Sequence, residues 1–136
     1  METIEIIKLI VQAAIAIGVI VAMIKLQHQK RVSQLAFFAE YTKRLHKLML
    51  HFPENWDETS TLNDEQKRYL RVYFDLCCEQ WFLYENEHIK SEFWEEWKQG
   101  MEFTFKQKTV SDYWEKRKLF YPDFRKFVET ELLNSK

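Results

Sequence analysis

Three features of the sequence predict an all-α fold, with a single N-terminal transmembrane helix continuing into a compact cytoplasmic bundle of about five helices. The 136 residues include only two Gly and two Pro, so tight β-hairpin turns have few residues to form them. An uninterrupted apolar segment lies near the N-terminus, and all 22 aromatic residues (11 Phe, 5 Trp and 6 Tyr) follow position 26. We therefore divide the chain into a transmembrane anchor, residues 1–26, and a cytoplasmic helical domain, residues 27–136.

The anchor rests on residues 9–24, LIVQAAIAIGVIVAMI, in which Gln12 is the only polar residue. As a helix, residues 4–26 extend roughly 34 Å, enough to cross a hydrocarbon core of about 30 Å. A helix in the core of a soluble domain is seldom apolar on every face for four turns. Acidic Glu2 and Glu5 at the start, with no small-residue cleavage site after the segment, are atypical of a secretory signal peptide.

The charge distribution predicts the orientation of the anchor. Residues 27–51 carry five Lys or Arg against one acid, a net charge of +4, whereas residues 52–136 carry 18 acids against 13 bases, a net charge of −5. The positive-inside rule then places residues 27–136 in the cytoplasm and the N-terminus outside. We expect six basic side chains to lie near the membrane surface, namely Lys8, Lys25, Lys30, Arg31, Lys43 and Arg44.

Within the anchor, Ala14, Gly18 and Ala22 recur every four residues, a small-residue pattern that lets a second helix approach closely. The sequence therefore predicts helix–helix packing through this stripe and a homo-oligomer. Gln12 lies on another face and is costly against lipid alone. It is a candidate for a polar contact between helices or for the lining of a lumen.

Five helices are predicted after the anchor. No Gly or Pro lies between positions 18 and 53, so the anchor helix should continue through a stalk whose inner face includes Leu35, Phe38 and Leu45. Residues 53–62 read as a loop, and Asn63 with Gln66 forms a capping-box pattern before a helix over residues 65–85. Three further helices are predicted over residues 91–105, 111–120 and 122–133, their starts being marked by Ser91, by Thr109 or Ser111, and by Pro122.

One spacing has catalytic potential. Arg44 and His51 are separated by six residues near the end of a predicted helix. This Arg-x6-His spacing resembles the HEPN ribonucleases, in which Arg and His of two protomers meet and act on RNA. The resemblance implies an RNA-cleavage pair, Arg44 and His51. Leu45 stands where that family usually has a polar residue, and contact of Arg44 with lipid headgroups is the competing interpretation.

The sequence contains little else that indicates covalent chemistry. Glu85 and His88 form one Glu-x-x-His pair, but di-iron bundles need two such pairs. Cys77 and Cys78 are adjacent, point in different directions on a helix and match no zinc motif. We expect no metal, no cofactor and no nucleic-acid partner, and we expect Glu79 on an exposed helix face.

The C-terminal half resembles a family of small bacterial proteins of unknown function. The matching segments are FDLCCEQWFLYENEHIKSEFWEEWKQGM and DYWEKRKLFYPDFRKFVETEL, within residues 65–132. The cues are Glu79, the turn over residues 83–89, Trp94, Trp97, Trp114, the Tyr121-Pro122-Asp123-Phe124 segment and Phe127. The resemblance implies a single N-terminal span, a helical cytoplasmic domain and a bacterial inner-membrane location. It brings no catalytic residue.

These observations favour a membrane-anchored helical interaction module that self-associates or binds a cytoplasmic protein at the inner membrane, with the lipid bilayer as its other partner. A second hypothesis is an oligomeric effector that disrupts the membrane or forms a pore, with Gln12 facing the lumen. Phage defence is the process in which such an effector could act. A third is the HEPN-like ribonuclease.

Overall fold

The computed structural model describes residues 2–56 and 61–134, and within these ranges the chain is helical with no strand. The helices are α1 (Glu2–Met49), α2 (Asp64–Glu85), α3 (Ser91–Phe105), α4 (Lys108–Arg117) and α5 (Pro122–Phe127). A 3₁₀ turn over Lys118–Phe120 joins α4 to α5, and a π-helical turn over Val128–Leu132 extends α5. The predicted all-α class and five-helix architecture are confirmed.

Helix α1 contains both the predicted anchor and the predicted stalk. Its 48 residues extend about 72 Å. Every described residue before Gln34 is exposed, and the 18-residue apolar window within α1 is 0% buried. By length and composition, α1 qualifies as a helix that can cross a membrane. The body formed by α2 to α5 packs only on its second half.

Helix α2 lies antiparallel to this half of α1, which we call the stalk. At one end the Gln34 amide donates to the Glu87 carbonyl at 3.2 Å. At the other end the His51 ring stacks on Tyr69, with 4.0 Å between ring centroids. Residue numbers therefore fall along α2 as they rise along α1. The predicted stalk helix, ending before Pro53, is confirmed.

Helix α3 packs against a neighbouring face of the stalk. Phe38 stacks on Phe93 and Trp97 with centroid distances of 4.4 and 5.3 Å. The Trp97 indole N–H donates to the Thr42 hydroxyl at 3.1 Å. This bond gives the buried Trp97 a partner for its only polar atom, and it fixes α3 in register with α1.

An aromatic core lies on the side of α2 and α3 that faces away from α1. Phe74, Phe105, Trp114 and Phe124, from four different helices, are at most 1% exposed. Trp114 contacts Phe74 and Phe105 edge-on at 5.1 and 5.3 Å. Large side chains suit a body of this size, since it must bury much apolar area with few residues.

Two of the predicted helix starts are confirmed and two are wrong. Asn63 and Gln66 form the reciprocal capping box of α2, and Pro122 occupies the first turn of α5. Ser91 is the first helical residue of α3 instead of its cap, and Lys90 precedes it without a side-chain hydrogen bond. Helix α4 begins at Lys108, so neither Thr109 nor Ser111 caps it. Thr109 instead donates to the Trp56 carbonyl, a contact between distant residues that spacing could not reveal.

The predicted inner face of the stalk is wrong at Leu35. This side chain is 56% exposed, whereas the neighbouring Gln34 is 8% exposed. The α2–α3 loop is the part of the body that lies beside Gln34 and Leu35 on α1. It presents the Glu87 carbonyl, to which the Gln34 amide donates and for which Leu35 has no donor. Phe38 and Leu45 pack against the core as predicted.

Replacing Thr42 by Val should destabilise the body by about 1–3 kcal/mol, because the Trp97 N–H loses its acceptor in a buried position. Thr42→Ser keeps the hydroxyl and is the matched control. Urea unfolding of the full chain in detergent, followed by tryptophan fluorescence, measures the difference. Equal unfolding midpoints for the two variants would contradict the role given to this bond.

Candidate functional site

An open groove of about 610 Å³ crosses the outer face of α2, between α1 and the segment that leads into α5. We call it the α2 groove. Its lining combines aromatic, aliphatic, thiol and carboxylate groups from Tyr41, Asp75, Cys78, Glu79, Phe82, Leu83 and Tyr121.

The floor of the groove follows from the periodicity of α2. Asp75, Cys78, Glu79 and Phe82 are three or four residues apart and therefore share one face of the helix. The opposite face carries buried residues such as Tyr73 and Cys77. Phe82 nevertheless remains 60% exposed, so the floor presents a large apolar ring to solvent next to two carboxylates.

One wall of the groove belongs to the stalk. The Arg44 guanidinium lies 5.0 Å from the centre of the Tyr41 ring, and its Nε is 3.1 Å from Glu40 and its Nη1 3.9 Å from Glu79. Burial and the Glu79 carboxylate raise the pKa of Tyr41, and the Arg44 guanidinium offsets part of this increase. Arg44 is thus held at the rim by contacts within its own chain.

The other wall is Tyr121, whose hydroxyl donates to the Asp75 carboxylate. Burial and this hydrogen bond raise the pKa of Tyr121. The ring also stacks on Trp114 at 5.5 Å between centroids. Pro122 starts α5 directly after it, which fixes the chain direction at this wall.

The pKa of Cys78 shows that the floor of the groove is negatively charged. Burial raises its pKa from 9.0 to about 11, and Asp75, Glu79 and Asp123 add to the shift. Three carboxylates from α2 and α5 therefore act on one thiol. At neutral pH the thiol is protonated and is no activated nucleophile. Aromatic rings beside carboxylates instead suit a cationic side chain, whose aliphatic stem packs on the rings.

The residues of the predicted packing stripe lie in the exposed part of α1. Ala14, Gly18 and Ala22 are all exposed, and so is Gln12. Five of the predicted membrane-surface residues are exposed on α1 with no ion pair to a carboxylate within residues 2–56 and 61–134; they are Lys8, Lys25, Lys30, Arg31 and Lys43. Arg44 is the sixth and is the one engaged at the groove.

The structure gives Arg44 and His51 separate partners. Arg44 contacts Glu40, Glu79 and Tyr41, while His51 stacks on Tyr69. Catalysis by this pair across two protomers stays a prediction. Among the described residues, no three His, Cys, Asp or Glu side chains are grouped as metal ligands would be.

Sequence reasoning placed Glu79 on an exposed helix face and did not group it with the other groove residues. One feature of the sequence could have indicated the groove, namely a single Phe at position 82 on the polar face of α2, three residues after Glu79. Tyr41 and Tyr121 are distant in the sequence and only the fold brings them to the groove.

No protein-family model, curated protein or solved structure matches this chain. The resemblance to small bacterial membrane-anchored proteins therefore stays a prediction.

The raised pKa of Cys78 predicts slow alkylation in the folded protein. At pH 8 a thiol with a pKa of about 11 has roughly a hundredfold less thiolate than a thiol with the ordinary pKa of 9.0. Iodoacetamide labelling of native and urea-unfolded protein, read by mass spectrometry, measures the ratio.

Glu79→Gln removes one of the carboxylates and should lower the pH at which Cys78 reacts, because less negative charge opposes the thiolate. Glu85→Gln, on the same helix but outside the groove, is the control. A pH profile of Cys78 labelling that is the same in both variants would contradict the carboxylate effect.

Proposed function

We propose that this protein is a membrane-anchored helical module that self-associates in the bilayer and presents its body at the cytoplasmic face of a bacterial inner membrane. The observation that carries the proposal is the exposure of the first half of α1. Between positions 4 and 26, 14 large apolar side chains are each at least 45% exposed, from Ile4 to Leu26. Soluble monomers seldom expose an apolar surface of this extent.

The body does not need this apolar half. Its core is formed by α2 to α5 and the stalk, and no described residue before Gln34 is buried. An apolar helix that the chain itself leaves uncovered requires another apolar environment. The length of residues 4–26 suits a hydrocarbon core, and Lys8 and Lys25, which flank the apolar run 9–24, can extend their charged ends to the two headgroup layers.

The basic residues after the span support a cytoplasmic body. Lys25, Lys30 and Arg31 follow the apolar segment within two turns, as the positive-inside rule requires. Gln34, where the body begins, is about 12 Å along α1 from Leu26. The body would thus lie close to the headgroups of an anionic leaflet.

The stripe of Ala14, Gly18 and Ala22 supports self-association. A Cβ added at Gly18 would meet no atom within 4 Å in its own chain, so nothing in the protomer requires a Gly there. In a span, a Gly permits the backbone of a second helix to come close. The unidentified cytoplasmic protein partner of the module would then bind to a pre-assembled membrane complex.

Membrane insertion predicts that the full chain stays with the membrane pellet after alkaline carbonate and is released by detergent. Replacing Ile15 and Ile20 by Arg should shift the chain out of the carbonate-resistant fraction. Each Arg near the centre of a span raises the free energy of membrane insertion by about 2.5–3.5 kcal/mol. Val32→Arg with Leu35→Arg, at exposed apolar positions beyond the span, is the matched control. Release of the unaltered chain by carbonate would refute the proposal.

Self-association predicts that the full chain in detergent or nanodiscs has the mass of two or more copies by light scattering. Ala14→Ile, Gly18→Ile and Ala22→Ile together should weaken the assembly at least about tenfold, because the larger side chains keep the helices apart. Ala13→Ile with Ala16→Ile places two Ile side chains on another face of the span as the control. A monomeric unaltered chain would refute self-association.

A further inference from the structure

We infer that the α2 groove is the docking site for Lys43 and Lys47 of a neighbouring copy anchored in the same membrane. The inference deepens the proposed function and rests on it. The groove is apolar along its walls and negative at its floor, so it is complementary to lysine, which has an aliphatic stem and a charged end.

Lys43 and Lys47 lie on α1 without acidic partners among residues 2–56 and 61–134. Both are exposed, and neither forms an ion pair with a carboxylate of the described ranges. Arg44, between them in sequence, is already engaged with Glu40 and Glu79. The two lysines are therefore the cations that this part of the stalk leaves available.

These lysines lie on the same face of α1 as the packing stripe. At 3.6 residues per turn, Lys43 is about 7 turns and Lys47 about 8 turns beyond Gly18. Leu45, which packs on the body, is about 7.5 turns beyond Gly18 and hence on the opposite face. Two copies that pack through the stripe therefore direct their bodies outward and bring their lysines towards each other.

Packing that brings the lysines of two copies together is unfavourable unless negative charge lies nearby at the same distance from the membrane, because the lysines repel each other. The antiparallel α2 provides it. Arg44 contacts Glu79, and Asp75 lies one helical turn farther from the membrane on α2, so both carboxylates lie at the level of Lys43 and Lys47. A common bilayer holds neighbouring copies at one height. Arg44, about 7.2 turns beyond Gly18, lies between the lysine-bearing face and Tyr41, which is about 6.4 turns beyond Gly18 and lies towards the body. The Arg44 rim of the groove is therefore the part that borders the lysine-bearing face.

Two charge-reversal variants of the full chain test the inference in nanodiscs. The first carries Lys43→Glu and Lys47→Glu, and the second carries Glu79→Lys and Asp123→Lys. Asp75 is kept because it accepts the Tyr121 hydroxyl. Each variant alone should assemble at least about tenfold more weakly than the unaltered chain. An equimolar mixture should recover assembly, because each copy then meets a groove of opposite charge.

Lys106→Glu with Lys108→Glu, at exposed positions beyond α3 and at the start of α4, is the control with the same change of net charge as the first variant. Circular dichroism verifies that every variant is folded. Recovery in the mixture, seen as the mass by light scattering or as energy transfer between labelled copies, supports the inference. Assembly of either variant at unaltered strength overturns it while leaving self-association through the stripe intact, and directs attention to a basic cytoplasmic protein as the occupant. A monomeric unaltered chain overturns the inference together with the proposed function.

Discussion

The packing of α2 and α3 on the second half of one uninterrupted helix fixes the position of every other element. Gln34, at the membrane-proximal end of this contact, and Thr42, near its middle, form hydrogen bonds to the α2–α3 loop and to Trp97 that fix the register. Between positions 18 and 53 the chain has neither Gly nor Pro, so nothing in α1 favours a kink there. Consequently the rotation and height of the body are set by the first half of α1. A face of the anchor and a face of the stalk can be related by counting helical turns.

The aromatic core explains why α2 has an outward face that is free to form a groove. Phe74 and its neighbours bury the inner side of α2 against α3, α4 and α5, while the stalk covers only an adjacent edge. What remains is a strip that begins near Asp75 and ends at Phe82. Tyr41 and Tyr121 border the strip from two different elements, and the hydrogen bond from Tyr121 to Asp75 and the contact between Arg44 and Glu79 hold both borders in place.

The features that depend on local periodicity could be predicted from the sequence, and those that depend on distant contacts could not. The apolar run, the Asn63 capping box and Pro122 each act within one or two turns, and they gave helices close to those observed. Leu35 was assigned to the inner face because hydrophobicity ranked it above Gln34. The backbone carbonyl that makes Gln34 the better buried residue belongs to Glu87, 53 residues away. The groove was missed for the same reason, since its walls are 80 residues apart in the chain.

Under the proposed function, the separation of charge between a basic stalk and an acidic body matters because the anchor confines the copies to one membrane. An exposed ion pair between free proteins contributes only about 0–1 kcal/mol, so a few lysine–carboxylate contacts would not assemble the bodies in solution. The proposed confinement to one bilayer would raise the effective concentration of the copies and remove most of the possible heights and tilts. Under that constraint weak, screened contacts would be enough to select one relative rotation among those that the small-residue stripe allows. In the proposed assembly the stripe provides the close approach of the anchors, and the charges on the stalk and in the groove determine which faces of the bodies meet.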